Sequence, residues 1–222
     1  WMFIFEGLPA IVWAFFWWRL VDDKPKNAKW LIDTEKANLE KKLHEEQQII
    51  KPVKDYGEAF KSKVVILLCL QYALWSIGVY GFVMWLPSII HAAPDMSMVK
   101  TGWLSSVPYI LAVVGMLATS YFSDKTLNRK VFVWPFLFIG AIAFYSSYLV
   151  GTSNFWVPFV LRIAAGGAMY APYGPFFAII TEILPRNVAG GAIALINSLG
   201  ALGSFVGSYV VGYLNGTTGG FG

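Results

Sequence analysis

The sequence predicts an all-α membrane protein whose 222 residues cross a bilayer six times. Three observations carry that reading: the composition, the lengths of the apolar runs, and the spacing of lysine and arginine. The chain is 57% hydrophobic, 17% aromatic and only 14% charged, with a mean hydropathy of +0.57. An ordinary soluble domain is roughly 45–50% apolar and about 25% charged. A chain this short has too much surface for its volume to hide such an excess in one aqueous core. Disorder is excluded, and a soluble enzyme does not fit. The net charge of +4 is not a nucleic-acid signal, because the basic residues fall into separate clusters between apolar runs.

A bilayer core about 30 Å thick needs about 20 apolar residues as helix. Six runs meet that length: Trp1–Val21, Val64–Ile90, Thr101–Phe122, Val131–Val150, Phe155–Ile180 and Val188–Leu214. Period-2 alternation is missing, and unpaired backbone groups cannot face lipid, so the spans are expected to be helices. The chain opens on Trp1, inside the first run and with no signal peptide before it, so it is expected to be part of a longer protein.

Lysine and arginine orient the spans. Ten lysines lie from Lys24 to Lys63, with Arg19 beside them. The connection 92–100 has only Lys100. The next has Lys125, Arg129 and Lys130, and 151–154 has none. Arg186 lies in 181–187, and the tail 215–222 is empty of both. The alternation places 22–63, 123–130 and 181–187 in the cytoplasm and the tail outside. The expected organisation is therefore a helix over 1–21, a cytoplasmic loop over 22–63, a five-helix bundle over 64–214 and an external tail over 215–222. Within the loop, Asp33 or Thr34 can cap an amphipathic helix running to about Gln48, with Leu39 and Leu43 on one face. Its spacing allows pairs Lys36–Glu40, Lys41–Glu45 and Lys42–Glu46. This segment is either a partner-binding or gating element, or a solvated connector on the membrane surface.

Charges inside a membrane are costly, so each needs a reason. Glu6 lies near the outer end of the first span, Arg162 about two turns into the fifth, and Asp124 and Glu182 at cytoplasmic ends. Arg162 either attracts an anion into an aqueous cavity or snorkels to the outer surface. Cys69 sits in an apolar run as a small buried hydrophobe and has no partner for an internal disulfide. There is no Cys/His cluster, no Walker glycine loop and no triad pattern, so neither a metal, a cofactor nor an enzymatic activity is expected.

Uncharged polar groups are more numerous. The second span carries Gln71, Tyr72, Trp75, Ser76 and Tyr80; the fifth carries Tyr170 and Tyr173 beside Pro172 and Pro175; the sixth carries Asn197 and Ser198. The prolines remove backbone donors and bend the helix. Gln71, Tyr80, Tyr170, Tyr173 and Asn197 can bind hydroxyl and carboxylate groups of a small solute, or can simply hydrogen-bond between helices. Broken helices meeting polar groups at mid-depth are typical of secondary transporters. Gly203-x-x-x-Gly207 and Ser208-x-x-x-Gly212 offer small faces for close helix packing.

Four stretches resemble the anion:cation symporter family of the major facilitator superfamily. Trp1-Met2-Phe3 with Glu6-Gly7-Leu8-Pro9 resembles the run opening that family's sixth helix. Asp23-Lys24-Pro25-Lys26-Asn27-Ala28-Lys29-Trp30-Leu31 resembles the stretch after it. Asp124-Lys125-Thr126-Leu127-Asn128-Arg129-Lys130 resembles the superfamily's D-R-x-x-G-R-[KR] loop. Glu182-Ile183-Leu184-Pro185 followed by Ala192 to Ser198 resembles the E-x-x-P and G-I-A-L-I-N-S run. The sequence departs from the pattern at Ser120 and Asn128, where glycine is usual, at Lys125 for arginine, at Thr181 for proline, and at Ala201 for asparagine. Arg162 stands where an apolar residue is expected.

The resemblance implies the C-terminal half of a twelve-helix carrier, from its sixth to its eleventh helix, inactive without the missing N-terminal half. It implies a bacterial inner (plasma) membrane location and symport of a small organic anion, such as a hexonate, hexarate or hexuronate, with a cation, most naturally H+. A cytoplasmic gate of Asp124, Lys125, Arg129, Glu182 and Arg186 is expected, with alternating access around a central site. The alternative is a membrane solute sensor or assembly subunit that binds without transporting.

Overall fold

A computed structural model describes residues 2–49, 53–151 and 154–219, apart from the side chains of residues 2, 3, 46, 47 and 49. The chain divides into two compact units, Trp1–Lys51 and Pro52–Gly222. The described residues are overwhelmingly helical and contain no strand.

In the first unit, α1 spans Met2–Leu20 and carries Pro9 inside it. A single 3-10 turn, Pro25–Asn27, follows, opened by the fixed φ of Pro25. Helix α2 spans Asp33–Ile49. The Glu35 carboxylate accepts from the Ile32 backbone N–H at 3.3 Å, satisfying one orphan donor before its first turn. Lys41 pairs with Glu45 at 3.8 Å, whereas Lys36 reaches back to Asp33 at 3.2 Å. The Glu46 side chain, expected to pair with Lys42, lies outside the described residues, as do Trp1 and residues 220–222 of the expected tail.

The second unit begins with α3, Tyr56–Lys61. Asp55 accepts from the Glu58 N–H at 2.9 Å and Glu58 accepts from the Lys54 N–H at 2.8 Å, a reciprocal cap. Then come α4 (Lys63–His91), α5 (Met98–Thr126), a 3-10 turn (Arg129–Phe132), α6 (Trp134–Val150), α7 (Trp156–Tyr170), α8 (Tyr173–Ile183) and α9 (Arg186–Thr218). Among the described residues, five segments are long and apolar enough to cross a membrane: Lys63–His91, Met98–Thr126, Arg129–Val150, Trp156–Ile183 and Arg186–Thr218. They match the second to sixth runs expected from sequence. The first run is helical as α1, with Glu6, Pro9 and Arg19 in its 19 residues, and is not among the five.

The run Phe155–Ile180, expected to bend at its prolines, is one span built of two helices, α7 and α8, parted at Ala171–Pro172. Pro172 has no N–H for the carbonyl of Ala168 and Pro175 none for that of Ala171, so the ladder is interrupted twice within four residues.

Helix α4 lies along α9, and α7 packs against both α5 and α6. The α4–α9 contact is close because glycine lines it. A Cβ added at Gly203 would sit 2.2 Å from the Ala73 carbonyl oxygen, and one at Gly207 would sit 2.1 Å from that of Ile77. Trp85 donates from Nε1 to the Ser208 carbonyl at 3.0 Å across the same seam. Small residues face inward here, while Trp103, Leu117, Phe138 and Phe205 face outward. That inversion suits a lipid surround, where apolar side chains gain nothing from hiding and association depends on close backbone approach. The core gathers on Tyr72, Trp75, Phe176, Ile180 and Ile196, with a second cluster of Phe82, Leu86, Ile90 and Phe159.

Candidate functional site

The break between α7 and α8 positions the first candidate site. It leaves carbonyls without intrahelical donors, and neighbouring helices supply some. Thr119 Oγ of α5 donates to the Ala171 carbonyl, which Pro175 left open. Trp75 Nε1 of α4 donates to the Met169 carbonyl at 3.0 Å. Both bonds are buried and hold the broken segment between α4 and α5.

Aromatic residues collect around this break. The rings of Trp75 and Tyr173 have centroids 4.5 Å apart, and Tyr170 stacks on Tyr173 at 5.5 Å. Tyr72 meets Tyr173 edge-on at 6.2 Å and stacks on Phe176 at 5.4 Å. Tyr109 of α5 meets Tyr170 at 6.1 Å. Tyr80, 41% exposed, lies on α4 and among the described residues has no ring contact with Tyr170 or Tyr173. Of the five solute-binding residues expected from sequence, the structure thus brings Tyr170 and Tyr173 into contact. Gln71 is half-buried nine residues before Tyr80, about half a turn round α4 from it. Asn197 is exposed on α9. Among the described residues no hydrogen bond or ring contact joins either to the tyrosines.

Tyr72 and Trp75 stood out in the sequence as polar aromatics in the second span but not as members of a site, and Tyr109 was missed. Its signal was weak: one tyrosine beside Pro108 in a span of ordinary apolar residues. The cluster presents phenol hydroxyls, which both donate and accept, beside ring faces that pack against C–H surface.

The second candidate site lies where α5 and α8 end. Asp124 stands in the last turns of α5 and Glu182 in the last turn of α8, both at helix C-termini where a carboxylate is unfavourable. Arg129 answers both. Its Nε donates to Glu182 Oε1 at 2.8 Å, with Nη2 at 2.8 Å in the same ion pair, and Nη1 donates to Asp124 Oδ1 and, at 3.1 Å, to Ser123 Oγ. The Arg129 side chain is 12% exposed, while Asp124 and Glu182 are 70% and 46% exposed. The cation is therefore enclosed and its partners face outward.

The backbone turn that delivers Arg129 runs through Leu127, whose φ of 53° is left-handed. Asn128, where the superfamily loop has glycine, has a φ of −106° and needs none. Ser120, at another usual glycine position, has its glycine across the interface: a Cβ at Gly174 would lie 2.2 Å from Ser120 Oγ. Of the five residues expected at a gate, Asp124, Arg129 and Glu182 are joined. Lys125 is exposed in the last turn of α5 and has no ion pair with them, and Arg186 is exposed at the start of α9. Among the described residues no group of three or more His, Cys, Asp or Glu side chains could hold a metal.

A family model described as the Major Facilitator Superfamily matches residues 1–208. A quinolone resistance transporter of Acinetobacter baumannii is 30% identical over 99% of this chain and 50% of its own length. A putative tartrate transporter of Agrobacterium vitis is 33% identical over 100% of this chain and 49% of its own. A D-galactonate transporter of Escherichia coli is 24% identical over 96% of this chain and 52% of its own. The chain spans about half the length of the curated relatives it matches.

Proposed function

The chain belongs to the Major Facilitator Superfamily and is a multi-pass integral membrane protein rather than an enzyme, and we propose from that premise that it is half of a carrier for a small organic anion. The cargo class is a sugar acid, such as a hexonate, hexarate or hexuronate, moved across a bacterial inner membrane with a symported cation, a proton. In this reading α1 is a sixth span, the segment 22–63 is cytoplasmic, and a second half of the same carrier closes the cavity.

The observation that supports it best is the stacking of Tyr170 on Tyr173 at the break between α7 and α8, with Tyr72, Trp75 and Tyr109 around them. Broken spans with polar groups at mid-depth are where secondary transporters bind solutes, because irregular backbone inside a membrane persists only against protein or water. The tyrosines supply neutral contacts to hydroxyl and carboxylate groups. The charge of the anion, and a carboxylate to carry the proton, would come from the other half. Gln71 and Asn197 belong to the cavity only if motion between the two halves brings them to it.

At the cytoplasmic end, Arg129, Asp124 and Glu182 form the latch of this half. Alternating access has the two halves rocking around the central site, and a cluster whose carboxylates face outward is placed to exchange partners as they do. Lys125, exposed next to Asp124 in the chain, is a cation for that exchange.

The test is uptake by the full-length protein in proteoliposomes, with a proton gradient directed inward, against galactonate, tartrate, glucuronate and a quinolone. Accumulation of one sugar acid that collapses with a protonophore supports the proposal. Accumulation of the quinolone alone overturns the cargo class. Binding of a sugar acid without accumulation under any imposed gradient overturns transport and favours a membrane sensor.

A further inference from the structure

Tyr170 is the last residue of α7 and Tyr173 the first of α8, so the two phenols stand on either side of the break. No continuous hydrogen-bond ladder fixes the angle between these helices, and whatever fixes it also sets the spacing of the two rings. In an unbroken helix the Met169 carbonyl would accept from the Tyr173 N–H four residues on. Here the indole N–H of Trp75, from α4, donates to it in a buried bond of 3.0 Å. The same indole packs on the Tyr173 ring, with centroids 4.5 Å apart. One side chain therefore grips the end of α7 by a hydrogen bond and the start of α8 by a ring contact.

Its acceptor is itself held in place. Gly78 follows Trp75 by three residues and so lies on the same face of α4. A Cβ added at Gly78 would sit 2.8 Å from Met169 Cε, and one at Gly140 of α6 would sit 3.0 Å from Met169 Cγ. The Met169 side chain thus fills two glycine notches while Trp75 takes its carbonyl. Tyr72 and Phe176 meet the indole edge-on at 5.6 and 5.5 Å and wedge it against α8. Trp75 is 5% exposed, and all of this packing lies within the chain, so further helices could only cover it more.

We propose that Trp75 is a positioning residue for the tyrosine site, setting its affinity for solute without touching solute. This rests on the reading of Tyr170 and Tyr173 as solute-binding groups. The indole N–H, the one polar group of the side chain, is already bonded and buried, so Trp75 has no donor to offer cargo. What it supplies is a fixed spacing of two phenols, which removes the ordering cost that loosely held groups incur on binding.

The test is uptake of the transported sugar acid by the full-length protein in proteoliposomes, with KM and kcat measured separately. Trp75→Phe keeps an aromatic ring and removes the N–H. It is expected to raise KM about fivefold, the scale of one net hydrogen bond, with kcat held within about twofold. Trp75→His places an imidazole nitrogen where the indole nitrogen stood and removes the fused ring that packs on Tyr173. It should also raise KM, and it carries the test if Trp75→Phe does not fold. Trp85→Phe is the matched control, since it removes an indole bond of 3.0 Å to the Ser208 carbonyl elsewhere on α4. It should lower the melting temperature as much and leave KM at the wild-type value. An unchanged KM in Trp75→Phe or Trp75→His overturns the proposal. So does a fall in kcat at constant KM, or an equal rise in KM in Trp85→Phe. Tyr170→Phe and Tyr173→Phe separate the two readings. If neither raises KM, the tyrosines do not bind solute and the positioning role falls with them. If either does and Trp75→Phe does not, the positioning role alone falls.

Discussion

Arg129 and Glu182 lie 53 residues apart in sequence, yet Nε of the arginine donates to Glu182 Oε1 at 2.8 Å and Nη2 closes the ion pair at the same distance. The same guanidinium also holds Asp124 and Ser123, so one cation neutralises the carboxylates at two helix C-termini. Removing it leaves two acids at the negative ends of two helix dipoles. Arg129→Gln is expected to lower stability by about 1–2 kcal/mol, whereas Glu182→Gln, with its exposed carboxylate, should cost under about 1 kcal/mol. Thermal unfolding of the full-length protein in detergent ranks the two. An equal effect would mean that Arg129 does not serve both acids.

The α4–α9 seam is equally specific. Gly207→Ala would place a methyl 2.1 Å from the Ile77 carbonyl oxygen, which is backbone and cannot swing aside. The helices must separate, at a cost of about 1–3 kcal/mol. Gly216, in the same helix, has nothing within 4 Å of an added Cβ. Gly216→Ala is expected to be neutral or to stabilise by up to about 1 kcal/mol through helix propensity. Melting temperatures that fall together in both variants would contradict the close packing.

Thr119 offers a cleaner test of the broken helix. Thr119→Val keeps the shape of the side chain and removes the donor to the Ala171 carbonyl, which Pro175 cannot serve. A buried acceptor left without a donor costs about 1–3 kcal/mol. Thr126→Val, where the hydroxyl bonds only the Phe122 carbonyl four residues back on an exposed face, is the control and should change little. Unfolding in detergent with no difference between them would detach Thr119 from the break.

Leu127 adopts a left-handed φ of 53° and is 75% exposed. A non-glycine residue there costs roughly 1–2 kcal/mol, and little packing is lost by removing an exposed side chain. Leu127→Gly is expected to hold or raise the melting temperature, and Leu127→Val, branched at Cβ, to lower it. The reverse order would place the turn elsewhere.

The fate of individual residues marks how far the sequence could be read. The sequence groups Asp124, Lys125, Arg129, Glu182 and Arg186 at one gate; the structure joins Asp124 and Glu182 through Arg129. Spacing within a seven-residue loop shows that a pair is possible, but the arrival of α8 beside it depends on the whole bundle. Pro172 and Pro175 announced a bend because a missing N–H is a local chemical fact. That the bend is a full break, sealed by Thr119 and Trp75, depends on helices 50 and more residues away in sequence. Tyr170 and Tyr173 stack on one another at the break. Gln71, Tyr80 and Asn197 make no hydrogen bond or ring contact with that pair among the described residues, since residue type carries no information about which way a helix is rotated.

What the sequence by itself determined is the set of five apolar spans within residues 64–214, their limits to within a few residues, and the glycine faces along α9. Each of these is a property of a short stretch: how oily it is, where its side chains are small, where proline removes a donor. Only the tertiary structure decided that Arg129 unites two helix ends, that Tyr109 completes the aromatic cluster, and that Trp75 bonds the Met169 carbonyl at the break. Those outcomes depend on how helices turn and approach one another, and in a membrane that is governed by backbone fit rather than by a hydrophobic pattern along the chain.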